Sequence, residues 1–439
     1  MKRLYEPGAY GPAAPWWAET VTRPDWPSLA EDITVEVAVI GGGFTGLNCA
    51  LALAGAGVDV AVLDAERPGW GASGRNGGFC CIGGAMAPEG SLRRRYGAAA
   101  LTEWQTAQGA AIDHVAGLLD THGIDADRHS EGETVLAHTP RAFRALRAEA
   151  AEAAATWGVA SEVLTRDDLA AQGLGGPWHG GMTLRRGFAL NPAKYHAGLA
   201  RVATRAGVRG YGRSPVASLD RNGDGWRLGI NGHSVRARRV VLATNGYSSE
   251  DLPDWLRART LPVQSSVIVT RPLTGAEAEA AGWTSDQMAY DTRRLLHYFR
   301  RLPDGRFLFG MRGGLTARAE EQIAVSRRIR TDFHATFPAW RGVEITHEWS
   351  GLVCFLASGH PFAGAVPGCE GLHAALGFHG NGVAMGSYLG HCLGEVLAHG
   401  RSGGPMPAFL GQEPRRFPLG RHRRALLRPA YWLAETFDL

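Results

Sequence analysis

A mixed α/β protein is predicted, with one layered parallel-sheet domain and a second, antiparallel domain. Three observations predict it. A short, mostly β-branched strand, Val35 to Ile40, runs into Gly41, Gly43 and Gly46 and then a small-residue helix. A second apolar strand near the C-terminal end runs through another glycine turn into a helix, Leu372 to Ala398. Between them, from Leu261 onward, apolar and polar residues alternate as in half-buried antiparallel strands.

Each glycine of the first unit has its own task. Gly41 permits the tight strand-to-helix turn, Gly43 lets a pyrophosphate approach the backbone, and Gly46 lets helix and sheet pack closely. The start of the following helix, Leu47 to Ala56, offers N–H groups and a positive dipole end to that pyrophosphate, with Phe44 and Thr45 also expected at the cofactor. A second strand, Val58 to Leu63, ends in Asp64, where an acid bonds a ribose diol. An acid there disfavours a 2′-phosphate and so argues against NADP. The unit reads as a Rossmann-like dinucleotide site.

The stretch Gly69 to Phe79, GWGASGRNGGF, selects the dinucleotide. A nicotinamide site needs no second glycine loop straight after the acid. FAD runs on from its pyrophosphate to a flavin ring, so more main chain must approach it. Ser73 is expected to donate to a phosphate oxygen, with Asn76, Gly77 and Gly78 continuing the close backbone. Arg75 is expected to neutralise phosphate or meet the flavin edge, the other reading being a surface salt bridge.

Here the chain resembles the FAD-dependent D-amino-acid oxidase superfamily, which includes glycine and sarcosine oxidases. AERPGWGASGRNGGF and the lead-in PSLAEDITVEVAVIGGGFTGL are most similar to its γ-glutamylputrescine oxidase branch. The resemblance implies that Val216 pairs its backbone with adenine and that the strand end Thr244-Asn245-Gly246 abuts the dinucleotide. It also implies that Gly377, His379, Gly380, Asn381 and Gly382 lie under the flavin's pyrimidine end, where N–H groups and a helix dipole stabilise reduced flavin. His379 departs from many relatives and is read as adjacent to the cofactor and not catalytic. Cys354 is read as a buried thiol, because its surroundings do not match the relatives that attach FAD through cysteine; noncovalent FAD is expected.

The rest of the chain supplies the frame. Asn191 and Pro192 are expected to cap a helix. Val216–Leu219, Trp226–Ile230 and Val235–Ala237 read as a meander turning at Asn222-Gly223 and Asn231-Gly232, followed by a separate buried strand, Val240 to Ala243. Pro303-Asp304-Gly305 marks a hairpin, and Gly97–Leu119 and Arg141–Trp157 read as helices of the second domain. Tyr298 and Arg300, two apart on a strand, share a face; there Arg300 would hold a substrate carboxylate beside Tyr298, with Arg312 a weaker rival. The alternative is a solvent-facing pair. The expected architecture is a Rossmann-like three-layer FAD-binding domain (1–85, 188–250, 346–410) interleaved with an antiparallel-sheet substrate domain (86–187, 251–345). A basic tail, 411–439, closes over the protein, its helix limited by Pro429.

The expected reaction oxidises the C–N bond of an amine or amino acid by hydride transfer to flavin N5. Imine hydrolysis and peroxide release follow, with dioxygen as acceptor. No catalytic residue is assigned, since the reaction needs orientation and a neutral amine more than a dedicated base. A dehydrogenase passing electrons to a quinone or partner protein, and a protein that binds FAD without turnover, are the alternatives. The balance of 46 basic and 42 acidic residues argues against nucleic acid. Six cysteines without a CxxC pair, no metal motif, and neither a signal peptide nor a membrane-length apolar run point to a cytoplasmic protein.

Overall fold

The computed structural model describes residues 14–315 and 318–436. The first 13 residues of the segment read for a signal peptide lie outside the described residues, as do 437–439 of the tail.

The strand Ile33–Ile40 is buried on both faces, and its neighbours explain why. It pairs in parallel with Val60–Leu63 on one side and His233–Leu242 on the other. Val37 and Val39 enter a core shared with helices, whereas Ala38 and Ile40 enter one shared with Trp226 and Leu228 of the meander. Helix layer, parallel sheet and meander are therefore the three layers. Arg209–Tyr211 and Leu372–Leu376 extend the parallel order outward, and Phe362–Ala365 adds an antiparallel edge.

Helix Phe44–Gly55 packs against Ala384–His399, the two helices that follow the glycine turns. Gly390 and Gly394 permit it: a Cβ on Gly390 would lie 2.2 Å from the Thr45 carbonyl oxygen. Pro192–Arg205 is capped by Asn191, whose side chain accepts from Ala193 and Lys194.

The second sheet has eight strands, in the order 345–356, 260–270, 307–312, 297–301, 288–291, 133–136, 181–184, 161–164. Every pairing is antiparallel except Glu133–Leu136 with Met288–Asp291, the seam joining the two expected insertions. One face carries Phe299, Phe307 and Phe309 into an aromatic core with Trp283, Phe333 and Trp340. The opposite face presents Tyr298, Gly310 and Arg312.

Four expectations are corrected. The meander's last strand and Val240–Ala243 are one strand, His233–Leu242, because no turn residue interrupts HSVRARRVVL. Ile345–Leu356 pairs along its whole length with Thr260–Thr270, so it belongs to the second sheet and not to the parallel-sheet domain. Helix Ala98–Thr121 packs on Ala384–His399 and buries Trp104, Ile112 and Val115 in the core beside the parallel sheet, not in the second domain. The tail helix, Leu427–Thr436, has Pro429 in its first turn, where a missing N–H costs nothing, so proline starts this helix and does not limit it. Arg423, fully buried just before it, pairs with Glu250 and donates to the Thr260 carbonyl.

Candidate active site

A cavity of about 480 Å³ lies between the two sheets and reaches both glycine turns. Gly41, Gly43, Phe44 and Thr45 form one wall. Gly41 has φ +108°, and a Cβ there would lie 2.7 Å from the Ala243 carbonyl oxygen, so only glycine fits the turn. Asp64 also lines the cavity; Oδ2 accepts from Gly42 N–H and Oδ1 from Glu66 N–H, both at 2.9 Å. Burial pushes its carboxyl up to about 6 against the pull of those two bonds.

The second loop wraps the helix start. Ser73 Oγ accepts the Phe44 N–H at 2.9 Å, so Ser73 caps the first helix from outside it and keeps its hydroxyl proton for another acceptor. Ser73, Arg75, Asn76 and Gly77 line the cavity. Arg75 is buried and is no surface ion pair: Nε donates to the Trp70 carbonyl, Nη1 to that of Ser350, and the guanidinium lies 4.8 Å from the Trp70 ring centroid. Two indoles fix this loop, Trp17 donating to the Asn76 carbonyl and Trp349 to that of Arg75.

At the far turn His379, Gly380, Asn381 and Gly382 line the cavity, as do Val216, Thr244 and Asn245. His379 takes φ +52° and stacks on Phe355 at 5.5 Å. Burial holds its imidazole down to about 3, against the pull of a hydrogen bond with the His360 backbone, so it is neutral. Asn381 donates to the Cys81 carbonyl and leaves Oδ1 without a partner. The side chains of Thr244 and Asn245 serve the turn itself: Thr244 bonds Ser248, and Asn245 Oδ1 accepts Gly377 N–H at 2.9 Å.

Four residues assigned to ligands, Gly78, Gly246, Gly377 and Arg300, lie behind the wall instead, and Gly46 packs there as expected. A Cβ on Gly46 would lie 1.9 Å from the Gly41 carbonyl oxygen, and one on Gly78 the same distance from that of Leu190. Gly246 abuts Leu352, and Gly377 abuts Leu356. These glycines answer to protein packing. Arg300 is the largest correction. It is 1 % exposed and outside the cavity, donating to the Gly77 and Leu190 carbonyls and pairing with His129 Nε2 at 2.9 Å. A guanidinium so occupied holds no substrate carboxylate.

Tyr298 does line the cavity. Its ring lies over Gly310, where a Cβ would be 2.1 Å from Cζ, and its hydroxyl reaches Ser265 Oγ at 3.0 Å. Arg312, the expected weaker rival, lines the cavity from the next strand. Sequence reasoning missed Ser265, Glu133, Tyr290 and Tyr247, which line it too. For the first three the available signal was strand parity, which becomes usable once the partner strands are known. Cys354 lines the cavity as a free thiol that burial pushes up to about 12.

Residues 36–396 match the family described as FAD dependent oxidoreductase (DAO). The chain belongs to this family. This DAO-family protein is an FAD-dependent oxidoreductase, related to amine and amino-acid oxidases. It is 30 % identical over 396 residues to the probable oxidoreductase OrdL of Rhizobium meliloti (strain 1021), covering 89 % of each chain. It is 28 % identical over 372 residues to the gamma-glutamylputrescine oxidoreductase of Escherichia coli (strain K12), covering 84 % of this chain and 85 % of that one. The solved glycine oxidase from Geobacillus kaustophilus shares its fold, with a TM-score of 0.69 at 20 % identity over 86 % of this chain and 98 % of that chain. No described helix of the DAO-family protein is long and apolar enough to cross a membrane.

Proposed function

We propose that this protein oxidises the C–N bond of an amine or amino acid, with noncovalent FAD as its prosthetic group and dioxygen as the electron acceptor. The observation that carries the reading is the cavity itself, which runs from one glycine turn and helix start to a second beneath the Tyr298–Arg312 face. The residues present fit FAD. Gly41 and Gly43 line the cavity with main chain, Ser73 retains a donor, and Asn381 Oδ1 is a buried acceptor without a partner. The chemistry FAD supplies there is two-electron oxidation of the carbon beside nitrogen, with peroxide released on return to the oxidised form.

The chain's own groups bind, orient and exclude water. Asp64 would hold the ribose diol, and the first turns of Phe44–Gly55 and Ala384–His399 would face the diphosphate and the ring system. Tyr298 and Arg312 would orient the substrate, Arg312 taking a carboxylate if one is present. The buried, protonated Cys354 thiol is a poor nucleophile, which supports noncovalent FAD. Likeness to gamma-glutamylputrescine oxidoreductase favours an extended amine as substrate.

The test is a screen of the purified protein against extended polyamine derivatives, N-methylated amino acids, glycine and D-amino acids. Anaerobic bleaching near the flavin band, with peroxide under air, is expected for one class. Bleaching without peroxide assigns the electrons to another acceptor, and no bleaching with any class overturns the proposal. FAD appearing in the supernatant after acid precipitation checks noncovalent attachment.

A further inference from the structure

One carboxyl group in the cavity wall is not used by the FAD reading. Glu133 opens the strand Glu133–Leu136, is 3 % exposed, and lines the cavity. Strand register places it there. Val135 lies opposite Tyr290, and Tyr290 opposite Tyr298, so Glu133, Tyr290 and Tyr298 share one face of the sheet. Oε1 accepts the Ile82 N–H at 3.3 Å, and the carboxyl also takes hydrogen bonds from the uncharged Tyr290 hydroxyl and Cys81 thiol, so it is bonded but has no cation beside it.

The titratable groups facing Glu133 are Tyr290 from the neighbouring strand and Cys81 from the loop after the glycines, with Cys80 behind. None carries a positive charge, and no described residue forms an ion pair with this carboxyl. Burial pushes it up to about 7, against the opposing pull of Tyr290, Ile82 N–H and Cys81. An acid in this state lacks a counter-charge, and a cation delivered into the cavity would supply one. Arg312 lines the same cavity with the opposite sign.

We propose that Glu133 binds a positively charged nitrogen of the substrate other than the one oxidised, which must be neutral, so that amines carrying a second, cationic group are the preferred class and those that also carry a carboxylate can engage Arg312. The inference rests on the amine-oxidising function proposed above, and it deepens that reading by naming the group that recognises charge.

The probe is n-butyltrimethylammonium, a permanent cation without the nitrogen lone pair that C–N oxidation requires. It is titrated into the FAD-loaded protein by calorimetry at pH 7, in two buffers of different ionisation enthalpy. Binding should release a fraction of a proton, because a carboxyl raised by burial loses its remaining proton when a cation arrives. Glu133→Gln should bind at least tenfold more weakly and release no proton. Should Glu133→Gln fail to fold or lose its flavin absorbance, Glu133→Asp, which keeps the charge, should still release a proton on binding. Equal binding by Glu133→Gln, binding without proton release, or no binding to the unmodified protein overturns the inference. An unmodified protein that oxidises amines yet ignores the cation sinks this inference alone; one that binds the cation at Glu133 but bleaches with no amine sinks the oxidase reading alone.

Discussion

Arg300 and Arg312 sit on paired strands and point to one face of the sheet, yet only Arg312 lines the cavity. Arg300 closes hydrogen bonds on Gly77, Leu190 and His129, and burial lowers its guanidinium to about 9. Replacing it with Lys, which lacks the planar fork, should destabilise the protein by about 2–4 kcal/mol in urea unfolding while leaving KM unchanged in the folded fraction. Arg312→Met should do the reverse: a melting temperature within about 2 °C, and KM for a carboxylate-bearing substrate raised about 10- to 100-fold with kcat nearly constant. A KM effect at Arg300 and none at Arg312 would return the carboxylate role to Arg300. Parity along HYFRR showed that Tyr298 and Arg300 share a face. It did not show that the Gly77 and Leu190 carbonyls occupy the Arg300 end of that face, because those residues lie more than 100 positions away.

Among the elements, the strand Met288–Asp291, the hairpin beginning at His297 and the helix Ala319–Thr336 meet at one charged cluster. His297 Nδ1 contacts Asp291 Oδ2 at 3.0 Å, its Nε2 contacts Asp332 Oδ2 at 3.2 Å, and Arg293 also pairs with Asp291. Burial lowers the His297 imidazole, but bonds to the two aspartates outweigh it and hold it above its ordinary value. Burial likewise raises Asp291, and His297 with Arg293 outweighs that and holds it low. The raised histidine contributes stability that is full below about pH 6.5 and lost as pH rises through its folded value; the depressed aspartate contributes stability present above about pH 4 and lost on acidification. Both are present between about pH 4 and 6.5. His297→Gln should therefore cost roughly 3 kcal/mol near pH 6, and the gap to the unmodified protein should narrow by pH 9. A pH-independent gap in unfolding midpoints would show that the imidazole is uncharged. Elements with local signals were readable from sequence, such as the Asn191 cap and the Pro303-Asp304-Gly305 turn between paired strands. The allegiance of helix Ala98–Thr121 and strand Ile345–Leu356 was not readable, since an amphipathic segment states which face is buried and not what buries it.

Across the whole molecule, the cavity is the place where the parallel and antiparallel sheets face each other, and residues from both line it. A ligand there binds the folded form alone and so stabilises it, by about 2.7 kcal/mol at a free concentration 100 times Kd. Protein stripped of FAD should melt about 5 °C lower and recover on adding FAD, but not on adding NAD. Recovery with NAD, or no change with either, would contradict the FAD assignment in this chain.

The amino-acid order by itself determined the Rossmann-like unit, because glycine at a positive-φ turn, a short buried strand and a terminal acid are local demands that lie within 30 residues of one another. It also determined the hairpins and caps, and through them the two-sheet α/β class. Only the tertiary structure decided which glycines face the cavity and which face neighbouring carbonyls, which arginine is available to a ligand, and that Glu133 opens into the site. Those outcomes depend on cross-strand register and on burial by residues distant in the chain, and both exist only once the two sheets have closed on each other.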